Sequence, residues 1–452
     1  MASADIIGRA DRASAYGSEL KWVAGALVIG AIGFNAVLCF LNTRGVAISQ
    51  GHVMISEMLL ISAALAACRN YLNVTHVAIL ALVVLYTVTL SGLRFANAPD
   101  AGFDLKIIRD LIIPIIFFLL GRAVGDLKTA DNVVFAATTI VLIFAVFEFF
   151  FLDAFLRVFE VAEYYIARGT LEASNSALDI SEGLMASGVR PPDQGRTLLP
   201  FLGEHRVSSL FLEPISLGNF ATIITLWAVI RSRMERRIYV FLALSGLALL
   251  VLSDGRFNAF FIILGVAILL VPPRITTLFV VPLPFILILA LFCFGASEEY
   301  YYNGPPTIVE GLGVYDRVLY CARVLFYFDV SNWFGLEASR AQTFDADYAY
   351  VISGIGLIGF SILWFLFMSV GGANRYYLSF RNAAAVFFVA LLCISNSPST
   401  IKIGALLWFL LGVLSAIKGY DRIRPSARAV RSDRGSAARA PDLVPSLGGS
   451  TP

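Results

Sequence analysis

Arginine is the residue type whose placement in this sequence points most directly to chemistry. Five arginines stand beside apolar segments, away from the charged ends of the chain: Arg109, Arg206, Arg256, Arg317 and Arg323. A guanidinium stays charged at any physiological pH and binds phosphate oxygens through two parallel hydrogen bonds. Several of them around one cavity would form a diphosphate site. Singly, they would be ordinary ion-paired or snorkelling side chains.

Arg206 belongs to the stretch HRVSSLFLEPISLGNFA, just before an apolar run. Pro214 suits the first position of a helix, which predicts Glu213 at the helix start, where the helix dipole stabilises a carboxylate. We expect Glu213 to orient Arg206, to serve as a base, or simply to stabilise the helix start. Arg256 follows a tight turn, SDGR, in which Asp254 is a natural ion-pair partner.

Two further acids, Asp345 and Asp347, precede the apolar run of TFDADYAYVISGIGLIGF. A carboxylate at such a position can accept a proton from an attacking hydroxyl, although ordinary loop acids fit the pattern as well. The glycines of this run are explained equally well by close helix packing. Asp345 is the first choice for a general base, followed by Asp347 and Glu213.

Arg109 lies in the stretch KIIRDLIIPIIFFLLG. Lys106 and Asp110 are four residues apart and can pair on one helix face, which leaves Arg109 for an anionic headgroup. Glu57 and Glu148 lie inside apolar runs, where neighbouring groups are expected to satisfy them. We assign no functional role to these two glutamates.

Metal and cofactor motifs are missing from the sequence. The five cysteines and three histidines are dispersed, without the spacing of a metal site or a disulfide framework. There is no Walker A loop and no dinucleotide fingerprint. We expect no metal and no cofactor, and the net charge of +2 gives no reason to expect nucleic acid.

The elements that must position these residues are transmembrane helices. Hydrophobic residues make up 58% of the chain and charged residues only 15%, against about 25% charged residues in soluble domains. Only helices satisfy their own backbone in lipid when they span it singly. The sequence predicts an all-α polytopic membrane protein with about twelve spans, at 22–41, 53–68, 74–93, 107–124, 133–152, 214–230, 238–253, 257–272, 275–295, 350–370, 382–398 and 401–417.

The distribution of positive charge predicts the orientation. Most Lys and Arg residues fall on the side of the N-terminus, which indicates that both termini are cytoplasmic. Residues 1–21 then form a cytoplasmic segment, 22–417 the membrane domain and 418–452 a disordered cytoplasmic tail. Two long loops, about 153–213 and 296–349, are predicted to be periplasmic. The first opens with an amphipathic stretch that favours a helix on the membrane surface.

Three of these stretches resemble the Wzy-type polysaccharide polymerases and the related O-antigen ligases of bacterial inner membranes. The stretch KIIRDLIIPIIFFLLG resembles the fourth-span region of the family. RVSSLFLEPISLGNF resembles its Arg–Glu–Pro–Gly stretch, and LSDGR its serine–arginine turn. The likeness covers about 20–417. The ligases carry a histidine before a Gly-x-x-Gly, where this chain has Asp345. This departure favours an exopolysaccharide-type polymerase over a ligase.

The resemblance implies an enzyme and a reaction. A glycan repeat unit on undecaprenyl diphosphate is the donor, and the hydroxyl of a second lipid-linked unit attacks its anomeric carbon with inversion, without a metal. Arg206 and Arg256 would bind the diphosphate, with Arg317, Arg323 and Arg109 as further ligands. Chain-length regulators and flippases would be partners, at the periplasmic face of the inner membrane.

Three other functions stay open. A twelve-span secondary transporter would share the number of spans and the cytoplasmic termini, but its long connection is usually central and cytoplasmic. A flippase for lipid-linked sugars would share the arginines but not the large external loops. A different lipid-sugar glycosyltransferase would carry paired acids in its first external loop, and NTRGVAISQG has none. The hypothesis of a polymerase requires that these arginines lie close together in space.

Overall fold

The computed structural model describes most of the chain, apart from the C-terminal segment and parts of the two long loops. It covers residues 2–97, 104–170, 183–184, 188–189, 198–235, 239–299, 314–337, 346–372, 374–395 and 399–417. The described residues are almost entirely helical, which confirms the all-α prediction, and the one β-bridge among them joins Val189 and His205. The predicted tail 418–452 lies outside the described residues.

Among the described residues of the first half of the chain there are seven helices, and the last two are short. They are α1 (Ala2–Thr43), α2 (Gln50–Cys68), α3 (Val74–Asn97), α4 (Leu105–Val124), α5 (Leu127–Phe150), α6 (Leu152–Val158) and α7 (Val161–Ala167). The Asp104 carboxylate caps α4 by accepting a hydrogen bond from the Ile107 amide, and Gly125 ends that helix in a left-handed conformation. The amphipathic stretch of the first long loop thus forms two short helices, α6 and α7.

The described residues of the second half form ten helices. They are α8 (Pro214–Glu235), α9 (Val240–Leu252), α10 (Arg256–Leu270), α11 (Pro273–Val280), α12 (Leu283–Glu299), α13 (Val314–Phe326), α14 (Val330–Phe334), α15 (Asp347–Ser369), α16 (Arg375–Leu391) and α17 (Ile401–Ala416). The short 3₁₀ turn Ser209–Phe211 precedes α8. Helices α13 and α14 lie in the second of the two long loops.

A helix lies at each of the twelve predicted ranges. Seven of the described segments are long and apolar enough to cross a membrane: Ser18–Thr43, Gln50–Tyr71, Val74–Asn97, Leu127–Phe150, Pro214–Glu235, Pro273–Ser297 and Asp347–Ser369. Helices α9, α10 and α17 are apolar but shorter. The chain is therefore described as an all-helical membrane protein, and the number twelve stays a prediction.

Two predicted spans differ from the observed helices. The range 382–398 is displaced, because the Asn374 side chain accepts a hydrogen bond from the Tyr376 amide and starts α16 earlier. The range 275–295 is divided into α11 and α12, since the ring of Pro282 removes a backbone donor and interrupts regular helix. A further break lies in α15, where Gly356 has φ of 70° and interrupts the helix.

The core of the bundle is formed by α4 and α17, which pack closely along their length. Gly121 on α4 and Gly412 on α17 face the backbone of the opposite helix, and a methyl group on either would overlap a backbone carbonyl of its neighbour. Small residues at such positions let membrane helices approach closely. Helices α1, α2 and α3 pack around this pair, and α8, α9, α10 and α16 form a neighbouring group.

Candidate anion-binding pocket

Three of the five predicted arginines line one pocket. Arg206, Arg256 and Arg317 surround a cavity of about 80 Å³, together with Asp254 and Asn258. These side chains come from the segment before α8, the turn between α9 and α10, and the first turns of α13. Three guanidinium groups and one carboxylate give the lining a net positive charge, so the pocket favours an anion.

Arg206 is positioned by a short segment that binds to the end of α9. Its amide donates to the Gly188 carbonyl at 2.7 Å, and the amide of Val207 donates to the Leu252 carbonyl at 3.0 Å. The Arg206 Nε donates to the carbonyl of Ser253 at 3.0 Å, and only 7% of the residue is exposed. The segment and the SDGR turn are therefore joined by main-chain contacts, which brings Arg206 beside Arg256.

Glu148, a fully buried residue of α5, fixes the same segment through hydrogen bonds to its carboxylate. Its carboxylate accepts hydrogen bonds from the amides of Ser208 (2.9 Å) and Ser209 (2.5 Å). It also accepts one from the Ser208 hydroxyl and lies 3.1 Å from His205 Nε2. A carboxylate that takes several hydrogen bonds is well stabilised despite burial. Glu148 is satisfied by its neighbours, as predicted, and it also fixes the backbone around Arg206.

The SDGR turn presents the start of α10 to the pocket. Asp254 has φ of 47°, a left-handed conformation that aspartate tolerates better than most residues. Its carboxylate accepts a hydrogen bond from the Leu198 amide at 2.9 Å. Gly255 offers no side-chain cap to α10, and the first amides of a helix lack intrahelical partners. The positive end of a 15-residue helix therefore adds to the attraction for an anion.

Arg256 and Arg317 complete the positive lining. Arg256 is exposed, and within the described parts of the chain no side chain forms an ion pair with it, Asp254 included. Arg317 is half-buried and donates to the Ile394 carbonyl at 3.3 Å. The prediction that Asp254 pairs with Arg256 is wrong, because the Asp254 carboxylate turns to Leu198 instead.

Glu213 forms a separate polar cluster and contacts neither arginine. It makes an ion pair with Lys402 of α17 and accepts hydrogen bonds from Tyr165 and Ser216, both at 2.9 Å. Burial by itself would raise the pKa of this carboxyl, but Lys402 and the two hydroxyls outweigh burial and lower the pKa below its ordinary value. A carboxylate so neutralised is a weak base, which favours the structural role for Glu213.

The other predicted residues lie outside the pocket lining. Asp347 is buried at the start of α15, where the Ser399 hydroxyl is 3.5 Å from its Oδ2. Arg323 is buried on α13. Asp345 lies outside the described residues. The assignment of a general base among these acids therefore stays a prediction.

Arg109 belongs to a buried ion cluster away from the pocket. Its guanidinium pairs with Glu57 of α2 and, at 2.6 Å, with Asp110, whose other oxygen accepts from the Tyr350 hydroxyl at 3.0 Å. Lys106 lies over the ring of Tyr350 instead of pairing with Asp110. The predicted Lys106–Asp110 pair is wrong, because Asp110 is nearer to the buried arginine. With both carboxylates on it, Arg109 is not available for a headgroup.

Two residues to which the sequence analysis assigns no functional role, Glu148 and Lys402, contribute most to the position of the predicted site residues. Glu148 was predictable in part, since an ionisable residue inside an apolar span is expected to have a defined partner. Lys402 gave no comparable signal, because its partner Glu213 is 189 residues away. Among the described residues, no group of three or more His, Cys, Asp or Glu side chains could hold a metal ion.

Comparison with known proteins adds no relative. No protein-family model, no curated protein and no solved structure matches this chain. The resemblance to polysaccharide polymerases therefore rests on the quoted stretches of sequence, and its implications remain predictions.

Proposed function

We propose that this protein is a polysaccharide polymerase of the bacterial inner membrane, which joins glycan repeat units carried on undecaprenyl diphosphate. The observation that carries the proposal is the pocket shared by Arg206, Arg256 and Arg317. These residues come from three stretches that are distant in sequence, and two of the stretches carry the family resemblance. Their convergence is what a diphosphate site requires.

In this proposal the pocket stabilises the departing diphosphate. When the bond between the anomeric carbon and the diphosphate oxygen breaks, its electron pair stays on that oxygen, and the lipid diphosphate gains negative charge. Fixed cations and helix amides that face this charge lower the barrier more than flexible, hydrated ones. The three arginines and the start of α10 supply such groups without a metal. An acceptor hydroxyl attacks the anomeric carbon as its proton passes to Asp345 or Asp347, since Glu213 is already neutralised by Lys402.

We prefer a polymerase over a ligase because the sequence differs from the ligases at one position. The position that holds a histidine in the ligases is occupied by Asp345. The proposed orientation places the pocket at the periplasmic face, with both termini in the cytoplasm. Lipid-linked repeat units delivered by a flippase would then arrive on the same face as the arginines.

The test is deletion of the gene in its host, with complementation by wild type, Arg256→Ala or Arg274→Ala. Arg274 is the matched control, because it is an exposed arginine of α11 away from the pocket. We expect long polymer to disappear on deletion while single lipid-linked repeat units accumulate, and wild type and Arg274→Ala to restore the polymer. Unchanged polymer in the deletion strain would overturn the proposal, and intact polymer that never reaches its lipid anchor would indicate a ligase.

A further inference from the structure

A second, larger cavity runs along α4. It has a volume of about 410 Å³ and is lined by one face of α4 and by α15, with contributions from α3, α16 and α17. Ile107, Leu111 and Phe118 follow each other along α4 at helical spacing, and Leu363 and Phe367 face them from α15. From Ile107 to Arg122 the groove extends about 22 Å at 1.5 Å per residue. Its long walls are apolar, as a hydrocarbon chain requires.

The two ends of the groove differ in charge. At one end lies Asp110, which is already bound by Arg109 and Tyr350. At the other end lies Arg122, next to His76 and Gly371. The Arg122 guanidinium stands 5.9 Å from the ring of Phe118, and its buried Nε has no hydrogen-bond partner. Within the described residues no carboxylate pairs with Arg122.

Arg122 lies at the end of the bundle away from the arginine pocket. Helix α16 shows this, because Tyr377 near its start lines the groove beside Arg122 while Leu391 at its end lines the pocket. The two residues are about 21 Å apart along the helix axis. A molecule whose anionic group sits at Arg122 is therefore separate from one whose diphosphate sits at Arg256.

We infer that the groove binds a membrane lipid with an anionic, phosphate-bearing headgroup. The phosphate pairs with the unpartnered Arg122 guanidinium, and one acyl chain lies between α4 and α15. An unpaired guanidinium beside a long apolar wall is complementary in charge and polarity to such a lipid. Arginine snorkelling to the membrane surface is the simpler alternative. A snorkelling arginine also attracts anionic headgroups, but lipid retention would then not respond to a side chain that fills the groove. The inference does not depend on the proposed polymerase activity.

The test uses the full-length protein purified in mild detergent and incubated with equal amounts of phosphatidylglycerol and phosphatidylcholine. Native mass spectrometry then counts the lipids retained by wild type, Arg122→Gln, Arg122→Lys and the control Arg274→Gln. We expect wild type and Arg274→Gln to retain phosphatidylglycerol about fivefold more than phosphatidylcholine, the effect of one cation beside an anionic headgroup. Arg122→Gln should lose this preference and Arg122→Lys should keep most of it.

Three results with the lipids used in this test would overturn the inference. They are equal retention of the two lipids by wild type, an unchanged preference in Arg122→Gln, and displacement of phosphatidylglycerol by inorganic phosphate alone. Retention of an isoprenoid diphosphate in place of a phospholipid, insensitive to Arg122→Gln, would assign the groove to the tail of the glycan donor and would also contradict it. A groove-filling variant, Leu111→Trp, should reduce lipid retention even with Arg122 intact.

Discussion

Glu148 shows how a single buried side chain sets the position of the pocket. Its carboxylate is the common acceptor for two backbone amides and a hydroxyl in the segment that carries Arg206. A membrane interior offers no water to replace such an acceptor, so the segment can hold this shape only while Glu148 is present. The position of Arg206 therefore depends on Glu148, which lies 58 residues earlier in the chain.

Replacing Glu148 by alanine should destabilise the protein by about 3 kcal/mol, because it leaves two buried amides without an acceptor at about 1–3 kcal/mol each. Glu148→Gln should cost less, since its amide oxygen still accepts. Thermal unfolding in detergent measures the difference. Ser208→Ala is the control, because it removes a hydroxyl but keeps both backbone bonds. An unfolding temperature for Glu148→Ala equal to that of Ser208→Ala would contradict this account.

The Glu213–Lys402 pair predicts a pH dependence of stability. The pKa of Glu213 is lowered in the folded protein, so its contribution to stability is complete above the ordinary glutamate pKa of about 4.3 and is lost as the pH falls through the lower folded value. Glu213→Gln should be less stable than wild type at pH 7, because it leaves the buried Lys402 ammonium unpaired. The difference should shrink as the pH falls from 5 to 3.

Thermal unfolding of both proteins across this pH range tests the pair. The result that contradicts the account is a constant difference between wild type and Glu213→Gln from pH 7 to pH 3. Such a result would mean that the lowered pKa is not a property of the folded protein.

At the scale of elements, glycines decide how closely the helices approach. Gly412 lies against the backbone of Phe118 on α4, whereas Gly33 on α1 has no atom within 4 Å of the position its methyl group would take. Gly412→Ala must push α4 and α17 apart, and overpacking of this kind costs about 1–3 kcal/mol. Gly33→Ala should be neutral or stabilising, because alanine favours helix over glycine by about 1 kcal/mol.

A loss of stability for Gly412→Ala and no loss for Gly33→Ala, measured by thermal unfolding in the same detergent, is the expected result. Equal effects would show that the close α4–α17 contact does not hold in the membrane protein as purified.

Most helices were predictable from the sequence, because hydrophobic runs bounded by charges and prolines carry a strong local signal. The start of α16 was misplaced by seven residues, since the sequence signal there is an asparagine cap and not a change in hydropathy. The break at Gly356 was read only as a packing position. Its positive φ occurs where the backbone of Phe334 from α14 lies close to it, a contact that no local pattern indicates.

The sequence indicated that arginines would line the candidate pocket, but it did not indicate which of the five arginines would do so. Residue type and location singled out five arginines, and three of them line the pocket. Arg109 looked free because the helix rule paired Asp110 with Lys106, whereas the structure brings Glu57 from α2 to the same place. Contacts between residues far apart in sequence decide such cases, and a single sequence does not contain them.

At the scale of the whole molecule, the two ends of the bundle have different chemistry. Helix α8 starts at the pocket and extends 22 residues, about 33 Å. At its far end Arg231 forms ion pairs with Asp131 and Glu235. At the pocket end, Arg256 is exposed and forms no ion pair with a described residue, whereas at the far end of α8 Arg231 is neutralised by two carboxylates. This difference along α8 fits the proposed binding of an anionic substrate at the pocket end.

The proposed orientation can be tested with alkaline phosphatase fusions, which are active only where disulfides form, outside the cytoplasm. Fusions after Glu235 and after the C-terminus should be inactive, and a fusion after Gly335 should be active. Activity of the fusion after Glu235 would reverse the orientation and place the arginine pocket in the cytoplasm, away from polymer assembly.

The most direct test of the central claim is binding of undecaprenyl diphosphate to the purified full-length protein in detergent, measured for wild type, Arg256→Ala and Arg274→Ala. Hydrogen bonds to charged groups contribute about 1.5–3 kcal/mol, so Arg256→Ala should weaken binding about ten- to a hundredfold. Arg274→Ala should bind as wild type does, and undecaprenyl monophosphate should bind more weakly to wild type. Equal affinity of all three proteins for the diphosphate would contradict the account, because the pocket of Arg206, Arg256 and Arg317 would then not be the diphosphate site.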